Sequence, residues 1–167
     1  VEVNLTARGR GAPQAAWNLF SMEGRSAEDL EMRVSAVVDS FASVLAWDSG
    51  VNNRALTVTT MAAQSVCELA LVLPPELAPT LFQMTKILSD DEWREATLPH
   101  LSAITREYWS LRFPKLSPDA ITPVTNLIDR LRSSANVAAL FGSSRSTYDV
   151  RRAMDQGLVV LACPAGT

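Results

Sequence analysis

The chain has 167 residues, 47% of them hydrophobic and 20% charged, with a formal net charge of −3. That composition is too apolar for a disordered chain and too acidic for a strongly basic nucleic-acid module. Its most apolar uncharged block reads as Leu69–Pro75, short of the roughly 20 residues a bilayer span needs.

Residues 1–25 read as irregular, with Ala7–Gln14 a loop around Gly9, Gly11 and Pro13 and with Ala15–Phe20 a short extended piece anchored by Trp17 and Phe20. Ser26 and Asp29 stand at capping-box spacing and open a helix whose stripe is Leu30, Val34, Val37, Val38, Phe41, Val44 and Leu45. Asp48–Gly50 stops it, and Asn52 or Asn53 caps a second helix reaching about Leu73. The last third of that helix is apolar on every face except at Glu68, which places it in the middle of a bundle. Pro74–Pro75 ends it.

Thr80–Leu88 reads as a short helix burying Leu81, Met84, Ile87 and Leu88. Ser89–Glu92 supplies a cap and an acidic first turn for the next helix, which Pro99 closes. Ser102 caps a helix with the stripe Ile104, Tyr108 and Leu111, ended at Phe113–Pro114. Ser117–Pro118 and Thr122–Pro123 are N-cap and first-turn pairs. The second of them opens a helix on Val124, Leu127, Ile128 and Leu131. Ala135–Phe141 follows, with Gly142 at its C′ position, where the left-handed conformation is common. Gly142–Ser146 is a polar loop, Asp149 caps Val150–Gln156, and Gly157 ends that helix. Leu158–Cys163 reads as a buried, parallel-type strand.

Six or more helices with one isolated interior strand predict a mainly α protein, a multi-helix bundle with one or two short β-strands at its termini. The Val1 start and the apolar strand near Thr167 suggest a piece of a longer protein. The expected division is a flank over residues 1–25, an all-α domain over 26–142, and a second flank over 143–167 with its strand at 158–163. The two flanks would then be parts of an α/β core.

Cys67 and Cys163 are 96 residues apart. They give no disulfide framework and fit a reducing, cytosolic setting. His100 is the only histidine and reads as a helix-end residue, too isolated for a zinc site or a catalytic triad. No apolar signal-peptide core stands in residues 1–16. Asp90–Glu92 is a helix-terminus charge cap, and Asp119 and Asp129 lack partners at metal spacing. Trp93 and Trp109 sit on short amphipathic helices and read as core rather than as base-stacking platforms.

Seven stretches carry a resemblance. Trp109–Phe113, Ala120–Val124 and Asn126–Leu131 resemble the helical region of RecA-like DNA-translocating motor ATPases. Ser146–Arg151 with Asp155–Leu161 is similar to the strand–helix–strand by which those proteins return to their ATPase core. Leu88–Arg94 and Trp17–Leu19 resemble two further segments of the same region, the second lacking its proline. The family includes the conjugative coupling proteins of type IV secretion (TraG/TraD type). The resemblance spans roughly residues 15–163 and implies an all-α domain inserted in the motor between its phosphate-binding loop and its acidic, Mg-binding strand. It also implies a hexameric parent that uses ATP and Mg, a cytoplasmic location with the parent at the inner face of the membrane, and a partner that is a protein or a DNA–protein substrate.

The departures from the motor pattern bear on activity. No G-x-x-x-x-G-K-[ST] motif occurs, and Leu158–Cys163 ends in Pro164 rather than in acidic residues. The phosphate cradle and the Mg ligand that phosphoryl transfer relies on are both lacking. The expectation is therefore no catalytic, nucleotide-binding or metal-binding residue and no cofactor in this stretch, which would be a monomer or a weak oligomer. Residues 1–100 carry 7 basic and 13 acidic groups, and residues 101–167 carry 8 and 5. Arg130, Arg132, Arg145, Arg151 and Arg152 are the candidate contacts to DNA, a partner or a neighbouring subunit. The plainer reading is a solvated face paired to Asp129, Asp149 and Asp155. Arg145, in a polar loop, is the favoured single residue. With so few basic groups, DNA binding should be weak or absent. The alternative to the motor domain is a free-standing all-α protein-interaction module.

Overall fold

A computed structural model of the chain describes residues 2–4, 15–45, 53–147, 149–158 and 161–163. The readings made above for Ala7–Gln14, Asp48–Gly50, Asn52 and Pro164 lie outside them. The fold is mainly α. Its helices are α1 (Leu30–Val44), α2 (Asn53–Val72), α3 (Leu81–Ser89), α4 (Asp91–Thr97), α5 (Ala103–Glu107), α6 (Thr122–Ser133), α7 (Ala135–Phe141) and α8 (Val150–Asp155). A π-helical turn, Tyr108–Arg112, continues α5. The strands β1 (Glu2–Asn4) and β2 (Leu161–Cys163) pair in parallel, Glu2 opposite Leu161 and Asn4 opposite Cys163.

Helix α2 is the axis of the bundle, touched by α1, α3, α5 and α6. Its Val58, Ala62, Ala63, Val66 and Cys67 are fully buried. This helix overturns one sequence expectation. Over Arg54–Val72 it is long and apolar enough to cross a bilayer, because the uncharged run 55–67 exceeds Leu69–Pro75. Here 61% of that stretch is buried against the rest of the protein, as a core helix requires. At its C-terminal end Val72 and Leu73 stand exposed, so apolarity on all faces does not mean burial throughout.

Local signals set most helix starts. Ser26 and Asp29 form the expected capping box, leading through a short 3₁₀ turn into α1. Thr80 and Gln83 form another at α3. The buried faces of α1, α3 and α6 are the expected ones, except that Val44 is exposed. Ile121 rather than Thr122 is the N-cap of α6, and the Thr122 hydroxyl donates instead to the Pro118 carbonyl at 2.9 Å.

Four expectations are corrected. Ile104 and Leu111 are 76% and 57% exposed, whereas Thr105, Tyr108, Trp109 and Phe113 are buried. These buried residues stand at i, i+3, i+4 and i+8, a helical face offset from the one that Ile104 selects, with the polar Thr105 in it. Gly142 has φ −95°, so it is no left-handed terminator; a Cβ there would lie 2.5 Å from the Ala138 carbonyl oxygen and 3.1 Å from the Phe82 ring, so glycine serves close approach. Trp17 is 41% exposed, and Asn18 and Phe20 are the buried anchors of the 15–20 segment. Among the described residues the strand is Leu161–Cys163, and Leu158 lies outside it and is exposed. It follows Gly157 (φ +61°), whose N–H donates to Met154 while that of Leu158 donates to Ala153, a Schellman closure of α8.

Candidate functional site

The five arginines do not form one cluster. Arg130 stands exposed on α6. Arg132, two residues on and so on another face of the helix, lays its guanidinium over the Phe82 ring of α3 at 5.5 Å. Arg145 pairs with Glu76 at 2.7 Å, both side chains more than half exposed. None of these contacts is the pairing with Asp129, Asp149 or Asp155 that sequence proximity suggests. A surface pair of this kind stabilises by at most about 1 kcal/mol. Arg151 and Arg152 lie on α8, with their side chains outside the described set.

Arg132 and the loop bearing Arg145 meet through Phe82, which touches Arg132 with its face and crowds Gly142 with its edge. Around that loop the incoming and outgoing segments of the helical body are joined. The Trp17 N–H donates to the Leu140 carbonyl at 2.7 Å, satisfying a carbonyl at the end of α7. The Thr147 N–H donates to Ala16, and the Ala16 N–H donates to the Thr147 hydroxyl, both at 2.8 Å. Beside this join a cleft of about 230 Å³ is lined by Met22, Arg25, Leu71, Leu73, Pro75 and Ser144, among others. Leu73 lines it and is exposed, as are Val72 and Leu77, each next in the chain to a lining residue.

Two polar constellations escaped the sequence reading. Glu68, 8% exposed, accepts from the Ser102 backbone N–H and hydroxyl, both at 2.8 Å, and from Gln64 and Thr105 at 2.9 Å each. A lone carboxylate in an otherwise apolar helical third was the available signal. Arg94 donates to the Ile87 carbonyl at 2.9 Å, pairs with Asp91 and stacks over Phe113 at 4.7 Å. Both arrangements fasten helices together rather than aim groups into a cavity.

The acidic triplet acts as a cap, with Asp90 accepting from the Trp93 N–H at 2.9 Å. Among the described residues no group of three His, Cys, Asp or Glu could hold a metal ion. His100 is exposed on a 3₁₀ turn. Burial pushes the Cys67 thiol up to about 12, which makes it a poor nucleophile. Burial, with Arg25 nearby, lowers the Arg33 guanidinium below its ordinary value. The chain matches no family model, no curated protein and no solved structure.

Proposed function

We propose that this chain is a non-catalytic helical domain of a RecA-like DNA-translocating ATPase of the conjugative or type IV secretion kind, which docks a DNA–protein substrate or an accessory protein. One observation carries the reading: the two flanks of the helical body come together. Residues 16–17 are hydrogen-bonded to 140–147, and β1 pairs in parallel with β2. A domain inserted in a host must leave close to where it came in, whereas a free-standing bundle has no such requirement. A two-stranded parallel ladder also suits a larger sheet, since parallel strands are normally covered on both faces.

In this reading the parent supplies ATP, Mg and a hexameric ring at the inner face of the membrane, and this stretch supplies recognition. The exposed Val72, Leu73 and Leu77 beside the cleft offer apolar area to a protein partner. Arg25 lines the cleft, and Arg145, paired with Glu76, follows its lining residue Ser144; these two arginines stand nearest for a polar rim. A body with net charge −3 binds duplex DNA weakly, because attraction to phosphate needs a basic face. Incubated with Mg-ATP, the chain releases no phosphate above a denatured control. Titrated with a labelled duplex, it binds weakly and loses that binding as salt rises. Phosphate release, or nanomolar affinity insensitive to salt, overturns the reading. So does a parent sequence without a phosphate-binding loop ahead of this stretch and an acidic-ended strand after it.

A further inference from the structure

Asn18 lies where three stretches of chain meet, 1% exposed. Its side-chain Nδ2 donates to the Ser144 carbonyl at 2.8 Å and to the Pro79 carbonyl at 3.0 Å. Its Oδ1 accepts from the Phe20 N–H at 3.0 Å, and its backbone N–H donates to the Ser146 hydroxyl at 2.9 Å. Two donations to carbonyls and one acceptance from an N–H are what a primary amide provides. A carboxylate would turn lone pairs on two carbonyls, and an aliphatic side chain would leave three buried groups unpaired.

The surroundings extend this junction into the bundle. Pro79 precedes Thr80, the N-cap of α3. Phe82 of α3 bears on Gly142 at one edge and on Arg132 of α6 at its face. Phe20, fully buried, sits in the main core.

The geometry points to Asn18 as a coupling pin. It fastens the incoming segment 15–20 and the outgoing loop 140–147 to each other and to the start of α3. A displacement of either flank is then passed into α3 and α6 rather than absorbed in a loose joint. The pin belongs to the helical body itself, so it stands even if the ATPase reading falls.

Hydrogen exchange on the intact chain tests it. Asn18→Ala should speed exchange of amides in 15–20, in 140–147 and in the first turn of α3 by roughly tenfold. Amides at Val58–Val66 in α2 should keep their rates. Gly142→Ala, which crowds Ala138 and Phe82 on the outgoing side, should by itself speed exchange at 15–20. In the Asn18→Ala background it should add nothing further there, the non-additivity expected of linked sites. Unchanged exchange at 140–147 in Asn18→Ala, or additive effects of the two substitutions, overturns the proposal. If Asn18→Ala strips protection from α2 as well, Ser146→Ala, which removes one acceptor, is read instead. Local acceleration at 15–20 in that variant supports the pin, and its absence overturns it.

Discussion

Among the described residues the donors to Glu68 are neutral: the Ser102 N–H and hydroxyl, the Thr105 hydroxyl and the Gln64 amide. Charge-assisted bonds of this kind are stronger than neutral ones, and they replace the water lost on burial. Removing the acceptor leaves the Ser102 N–H and two hydroxyls facing a void. Glu68→Ala should therefore cost about 3 kcal/mol and Ser102→Ala about 1 kcal/mol, read as shifts in urea midpoint. Equal, small losses would show that the carboxylate is not the organising group. Cys67 sits one residue earlier, fully buried, with its thiol raised from 9.0 to about 12. Above pH 9 the unfolded chain ionises this thiol and the folded chain does not. Stability is thus intact below about pH 9 and falls as pH climbs toward 12, by up to roughly 4 kcal/mol over that window. Urea midpoints measured from pH 8 to pH 11 should decline, and Cys67→Ala should flatten the decline. Tyr108, whose hydroxyl burial also pushes up to about 12, adds to the same decline.

At the scale of elements, α5 and its π turn show where periodicity misleads. A stripe counted at three and four residues selects Ile104, Tyr108 and Leu111, and only Tyr108 is buried. The buried face is Thr105, Tyr108, Trp109 and Phe113, and it includes a polar residue that an apolar count skips; the Trp109 indole N–H donates to Ser65 on α2 at 2.8 Å. Ile104→Ser and Leu111→Ser should each change thermal stability by less than about 0.5 kcal/mol. Trp109→Ala should cost roughly 3–5 kcal/mol. A large loss at Ile104 would restore the simple stripe. By contrast α1, α3 and α6 were legible, because their signals are local: a cap, a repeat of 3.6 residues and a proline in the first turn. Nothing local foretells the π turn, or that Phe82, sixty residues earlier, adds to the Ala138 carbonyl in crowding a Cβ at position 142.

Across the whole molecule, the mainly helical class and the central place of α2 were readable from composition and patterning. The partners of polar side chains were not. Arg145 sits where the sequence put it, in a polar loop, yet its partner is Glu76, 69 residues away. Asn18 was visible only as part of a short segment beside a tryptophan, and its role depends on Pro79 and Ser144, which the fold brings to it. Long-range pairing of this sort is a property of the assembled bundle, so single-sequence reading finds the helices and misses what ties them.

The join between residues 16–17 and 140–147 has a consequence for topology. A body whose first and last residues are neighbours is nearly a closed ring of chain. Joining Ala15 to Thr147 by a short peptide and reopening the ring at the exposed Glu76–Leu77 turn would give a circular permutant that keeps the same helix packing. The same closeness makes the body a graft that can be lodged in a surface loop of an unrelated host, since it asks that host for no gap wider than a hairpin.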